Sequence, residues 1–206
     1  MTVQYIFERA MRLLPEVGET EVVHAVNKTL KEFCSRTEIL LGSGNLTKVT
    51  GQTTYDLSTF ASDFYLLKNI EFIDSDSNFV SPGYAPIYKT NGVSITFYDA
   101  GGAAMSDMPD YTVKIYYSKI PSALTITSSL PTLEEFSLYI ESGVYRELYS
   151  SIPITITDRN GNSYKRIDWE AVNFHSQKFE VGIKEGLRYK NMNRNNSIKN
   201  IIQYEY

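Results

Sequence analysis

The spacing of apolar residues changes twice along this chain, and those changes limit the fold more than any single motif does. From residue 4 to about 37, apolar residues recur every three or four positions, as on one side of a helix. From about 39 to 126 the period falls toward two and turn-forming residues crowd in, as in short strands. Helical spacing then returns. The first two helices are too few to bury their own stripes, so the two ends must meet. The expected fold is α+β: a helical bundle from the N- and C-terminal helices (1–38 and 127–192), an inserted antiparallel β-barrel or sandwich module (39–126), and an extended C-terminal tail (193–206).

The individual elements follow from local signals. Residues 4–14 read as a helix with Ile6, Phe7, Ala10, Leu13 and Leu14 on one side, stopped by Pro15 and Gly18. A second helix, 19–37, carries Val22, Val23, Val26, Leu30, Phe33, Cys34 and Thr37 as its stripe. About six strands follow, and Asn91-Gly92 marks a tight hairpin turn. In "LPTLEEFSLYIESGVYRELY", Thr132 and Glu135 form a candidate capping box ahead of a stripe of Leu133, Phe136, Ile140, Val144 and Leu148. Asp168 is a candidate N-cap for the last helix, with Trp169, Val172, His175, Phe179, Ile183 and Leu187 in line. Gly143, Gly182 and Gly186 sit inside these helices, where glycine costs about 1 kcal/mol against alanine, and point to backbones in close approach. Between the last two helices, "ITITDRNGNSYKRI" (154–167) reads as a hairpin turning at Asn160-Gly161, marginal unless it packs on something.

Catalytic and metal-binding constellations are missing from the sequence. Cys34 is the single cysteine, and His24 stands ten residues before it, roughly 15 Å away along one helix, too far to serve as its base. His175 could fold back onto Cys34, but a lone Cys on an apolar stripe is usually a small buried hydrophobe. "DSDSN" (74–78) lacks the glycine and glutamate of a calcium loop and reads as a turn. Two histidines and one cysteine are too few for most metal sites, so no catalytic residue, metal or cofactor is expected. A net charge of −4 argues against a protein that grips phosphates. The N-terminus lacks the form of a secretory signal, and no apolar run approaches the roughly 20 residues of a membrane span, so a soluble protein is expected. The loop "YDAGGAAMSDMPDY" (98–111), with Met105 and Met108, reads as a flexible tip: either a contact point for a partner or a loose hairpin end.

Four motifs in order give the sequence a resemblance. The second helix ends Phe33, Cys34, Arg36, Thr37. The β module opens with Gly51, Gln52, Tyr55, Asp56, Leu57. The third helix holds Gly143, Leu148 and Tyr149, and the last holds Trp169, Ala171, Phe179, Gly182 and Ile183. This order resembles the head-to-tail connector (adaptor) proteins of tailed bacteriophages, the group that includes tail tubular protein A of T7-like phages. The resemblance implies a structural, non-enzymatic virion protein of the neck, made in the bacterial host's cytoplasm. It implies a ring, usually of twelve copies, beneath the portal, through which genomic DNA passes without specific binding. The partners would be the portal protein, the next tail or neck component and further copies of the chain, with no membrane. On this reading Ile198, Ile201, Ile202, Tyr204 and Tyr206 of the tail bind the portal, and the loop with Met105 and Met108 faces the tail. Relatives often join the last two helices by a short proline-containing link, whereas here the 154–167 hairpin, with Asn160, Gly161 and Tyr164, takes its place and is expected at a subunit interface. The alternative is a carbohydrate- or protein-binding module of a phage tail or cell surface, using Tyr-rich strands as its platform. A hydrolase is a third reading, opposed by the missing nucleophile–base pair.

Overall fold

The computed structural model describes all residues except 81–86, 92, 100, 107–109, 133 and 203–206; for 193–202 the description is of the helical backbone. The structure mixes helices with antiparallel sheets, as the sequence implies, and among the described residues no sheet closes into a barrel. Its contacts divide it into two units, Met1–Ile39 with Pro121–Tyr206, and Leu40–Ile120.

The first unit holds α1 (Val3–Leu13), α2 (Glu19–Thr37), a 3-10 turn (Glu134–Phe136), α3 (Ser137–Ser151), the strands β7 (Ile154–Thr157) and β8 (Ser163–Arg166), and α4 (Trp169–Ile202). Thr2 caps α1 by accepting the Tyr5 N–H at 3.2 Å. Ile6 and Ala10 of α1, Val22, Leu30, Phe33 and Cys34 of α2, Ile140, Val144 and Leu148 of α3, and Phe179 and Ile183 of α4 form the core. Burying each large side chain is worth about 1.5–3 kcal/mol before ordering costs. Phe33 lies between Phe136 and Phe179, with ring centroids 5.6 and 6.1 Å away.

The helical glycines are where these helices meet. A Cβ on Gly143 would stand 2.5 Å from Thr29 Cγ2 and 2.6 Å from the Phe179 ring. One on Gly186 would stand 2.6 Å from Thr37 Cγ2, and one on Gly182 would strike Tyr139.

The second unit holds β1 (Leu41–Leu46), β2 (Thr54–Asp56), β3 (Phe64–Ile73), β4 (Ile87–Thr90), β5 (Ser94–Tyr98) and β6 (Thr112–Lys119). They form two antiparallel three-stranded sheets, ordered β1-β6-β3 and β2-β5-β4. Ile70, Phe72, Val113, Ile115 and Tyr117 from the first sheet and Tyr55, Ile95 and Phe97 from the second share one core with Leu57. Gly42 and Gly44 of β1 leave room for rings: a Cβ on Gly42 would stand 2.6 Å from Tyr117, and one on Gly44 2.9 Å from Phe60.

Several local expectations are corrected. The Thr132 hydroxyl is buried with no partner among the described residues, so there is no capping box. The chain makes the 3-10 turn first, and α3 starts only at Ser137; Leu133 lies outside the described residues. The apolar spacing predicts Leu13, Trp169 and Leu187 on buried stripes, but all three are exposed. Helix α4 does not stop near 192: its backbone is helical through Ile202, where an extended tail was expected. No proline or glycine follows Gly186 to end it.

The 154–167 hairpin also turns differently. Gly161 alone takes the left-handed conformation, at φ 83°. Asp158 organises the turn: its carbonyl accepts the Gly161 N–H at 3.0 Å, and its carboxylate accepts the N–H groups of Asn160 and Asn162 at 2.8 and 2.9 Å. "DSDSN" is built the same way, with Asp74 accepting from Asp76, Ser77 and Asn78 and Ser77 at φ 67°. Asp99 repeats the pattern with Gly102 and Ala103. In all three, the aspartate carbonyl accepts from a left-handed residue three positions on. Gly92 lies outside the described residues; Asn91 Oδ1 accepts the N–H groups of Val93 and Ser94 at 3.1 and 2.8 Å.

Candidate functional site

Of the reactive residues weighed from the sequence, Cys34 and His175 take part in packing, and His24 is exposed on α2. Cys34 is fully buried, and burial pushes its thiol pKa up to about 12, so no nucleophilic thiolate forms near neutral pH. The imidazole of His175 lies among Tyr145, Tyr149 and Phe174, stacked on Tyr149 at 5.7 Å. Among the described residues no hydrogen bond joins it to Cys34, and its Nδ1 is buried without a partner. Removal from water, then the charge of Lys178, holds its pKa below the usual histidine value. Among the described residues no group of three or more His, Cys, Asp or Glu could hold a metal ion, and no helix is long and apolar enough to cross a membrane.

Charged residues tie the helices together in a pattern that was not read from the sequence. Buried Glu141 of α3 accepts from Arg9 of α1 at 3.0 Å and from the Tyr145 hydroxyl at 2.6 Å. Arg146 of α3 donates to Glu32 of α2 at 2.6 Å and to Glu147 at 2.7 Å, with its guanidinium over the Phe179 ring at 4.7 Å. Arg36 forks onto Glu180 of α4 at 2.6 and 2.7 Å. The Glu32 carboxyl is partly desolvated, which raises its pKa, but the Arg146 and Arg36 guanidinia outweigh this and hold it below the usual range.

The solvent side of the last helix carries large apolar groups. Phe174, Val181 and Met192 fall within a narrow arc of α4, opposite Val172, Phe179 and Ile183, and are 52, 46 and 68% exposed. The same side carries Lys178, whose Nζ lies over the Phe174 ring at 4.5 Å, and the Arg188–Glu185 pair, so apolar and charged groups share the solvent face of α4. The 154–167 hairpin is also largely open: all of β8 is exposed, Tyr164 included, as are Asn160 and Gly161. In the β unit, Met105 is half-buried against the core, and its N–H donates to Phe97 O at 2.9 Å, so it is no loose tip. Met108 lies outside the described residues, as do Tyr204, Tyr206 and the side chains of Ile198, Ile201 and Ile202. Within the β unit, Asn45, Thr47, Gln52, Asp56, Thr59 and Phe60 line a shallow polar cleft.

Helices meeting at glycine seams, a buried unreactive thiol and apolar groups on the solvent side of α4 suit an assembly component. The family comparison agrees: the model of the SU10 adaptor protein family matches residues 1–198. The chain belongs to the SU10 adaptor family. No curated protein matches it. Membership makes it a phage adaptor, a structural protein of the virion neck that interacts with other head and tail components, from a family that is not normally enzymatic.

In this SU10-family adaptor the four motifs mark packing seams. Phe33 meets Phe179, Thr37 lies against Gly186, and Gly143 receives Thr29 and Phe179. In the β unit Gly51 takes φ 82°, and the Tyr55 hydroxyl accepts the Val49 N–H at 3.3 Å. Asp56 Oδ1 accepts from Ser58 N and Oγ at 2.8 and 2.7 Å, and Leu57 fills the core.

Proposed function

We propose that the chain is a head-to-tail adaptor whose copies form a ring, of the twelvefold kind that tail tubular protein A supplies in T7-like phages. The ring sits beneath the portal at the capsid vertex and joins it to the tail, and the genome passes through without specific binding. The observation that carries this reading is the outward line of Phe174, Val181 and Met192, which gives an adaptor-family bundle a surface to cover with neighbouring subunits. In this reading the arm 193–206, with Ile198, Ile201, Ile202, Tyr204 and Tyr206, binds the portal. The hairpin around Asn160, Gly161 and Tyr164 lies between subunits, and the loop with Met105 and Met108 faces the next tail component. Assembly takes place in the bacterial host's cytoplasm. The net charge of −4 suits a conduit that must not grip phosphates.

Electron microscopy of the chain mixed with its portal tests the proposal. Rings stacked on the portal are expected; a monomer indifferent to portal would overturn it. The polar cleft with Phe60 favours a second reading, a carbohydrate- or protein-binding module. That module would bind its ligand as a monomer and would not load onto portal.

A further inference from the structure

The hairpin is a cationic element on an acidic chain. Residues 154–167 hold Arg159, Lys165 and Arg166 against one carboxylate, Asp158, a net charge of +2. With −4 for the whole chain, the remainder carries −6. The Asp158 carboxylate is committed to its own turn, where the backbone N–H of Asn162 foremost, then its side-chain amide and the Asn160 N–H, hold its pKa down. Lys165 pairs with Glu16 of the α1–α2 turn at 3.0 Å, both side chains being more than half exposed. Arg159 and Arg166 are exposed and have no ion-pair partner among the described residues.

From this we infer that the hairpin docks onto the anionic surface of a second copy of this chain, with Arg159 and Arg166 as its charged contacts and Tyr164 as its aromatic one. The inference rests on the ring reading above and says which chemistry holds neighbouring copies together. Three observations support that occupant. The charge of the hairpin is opposite to that of the rest of the same molecule, so one copy complements the next. The Lys165–Glu16 pair is an in-chain example of a hairpin cation meeting a helical-unit carboxylate. A two-stranded hairpin is marginal in water, and all of β8 is exposed, so packing on a neighbour supplies what the single copy lacks. Arginine forks suit carboxylates, and exposed Tyr and Arg are the residue types that anchor interfaces.

The test is loading of the intact chain onto purified portal across a range of salt, comparing wild type, R159E/R166E and R159K/R166K, with melting curves as a folding control. Wild-type loading is expected to be cooperative, because each bound copy offers its surface to the next, and to lose cooperativity as salt rises. R159E/R166E is expected to fold normally and to load as independent copies, with half-loading at about tenfold higher concentration. R159K/R166K keeps the charge and is expected to retain most of the cooperativity. If reversal unfolds the hairpin, R159Q/R166Q carries the test, with the same loss of salt-sensitive cooperativity expected. Unchanged, salt-sensitive cooperativity in the reversal or Gln variant overturns the hairpin contact and leaves the ring reading standing. A parallel measurement of double-stranded DNA binding by the same variants adds one more outcome: normal cooperative loading with lost DNA binding would assign the cations to nucleic acid and overturn the contact. Wild-type protein that never loads onto portal overturns both.

Discussion

Cys34 and Gly143 show how much a small side chain, or none, can matter in this molecule. Cys34→Ser should cost about 1–3 kcal/mol if the buried hydroxyl that replaces the thiol is left unpaired. The native protein should resist alkylation and react only on unfolding; fast native alkylation would refute the inert thiol. Gly143→Ala gives a sharper test through its sign. On an exposed helix the change stabilises by about 1 kcal/mol. Here the new Cβ would stand 2.5 Å from Thr29 Cγ2, so the melting temperature should fall, by about 1–3 kcal/mol of stability. These positions were legible in the sequence because glycine inside a strongly periodic helix has few explanations. Buried Glu141 was not legible, because its partner Arg9 lies 132 residues away and no local pattern announces such a pair.

At the scale of elements, local rules held where nothing distant competed with them. The spans of α1 and α2 follow from apolar period with Pro15 and Gly18 as stops, and Asp168 accepts the Ala171 N–H at 3.1 Å as the expected N-cap of α4. Asp168→Ala should therefore cost about 1 kcal/mol, read from a denaturant melt. The capping box failed where Phe136 is drawn onto Phe33 and Tyr189, and the backbone takes a 3-10 turn to place it there. The outward line of α4 was missed because apolar residues lie on both sides of that helix, and spacing alone assigned Trp169 and Leu187 to the interior. The α3–α4 seam should also respond to acid. His175 is held below its usual pKa in the fold, so between that value and about 6.5 the unfolded chain binds more protons. Stability is complete above that window and declines as pH falls through it. His175→Phe should remove this slope from the pH dependence of the melting temperature; an unchanged slope would assign it to other groups.

On the scale of the whole molecule, the proposed arm and the bundle should be separable. Helix α4 is gripped as far as Tyr189 and Lys190, which reach Phe136 and Glu38. Deleting 197–206 should leave the melting temperature unchanged while portal attachment falls sharply. One arm gains little beyond its ordering cost, so the native ring would hold by many weak contacts acting together. A truncated protein that melts lower yet attaches normally would return the segment to its own fold.

The Asp-built turns carry an evolutionary consequence. At Asp74 and Asp158 the turn geometry is set by one carboxylate and by one left-handed position three residues later. Ser77 shows that the left-handed position need not be glycine. Between them, Asp76 and Asn160 contribute main-chain N–H groups, so the turn itself does not fix which side chains stand at its tip. Such a loop works as an address label on a fixed peg. A lineage that changes neck partners can rewrite the letters at its tips one mutation at a time while the sheet beneath continues to fold.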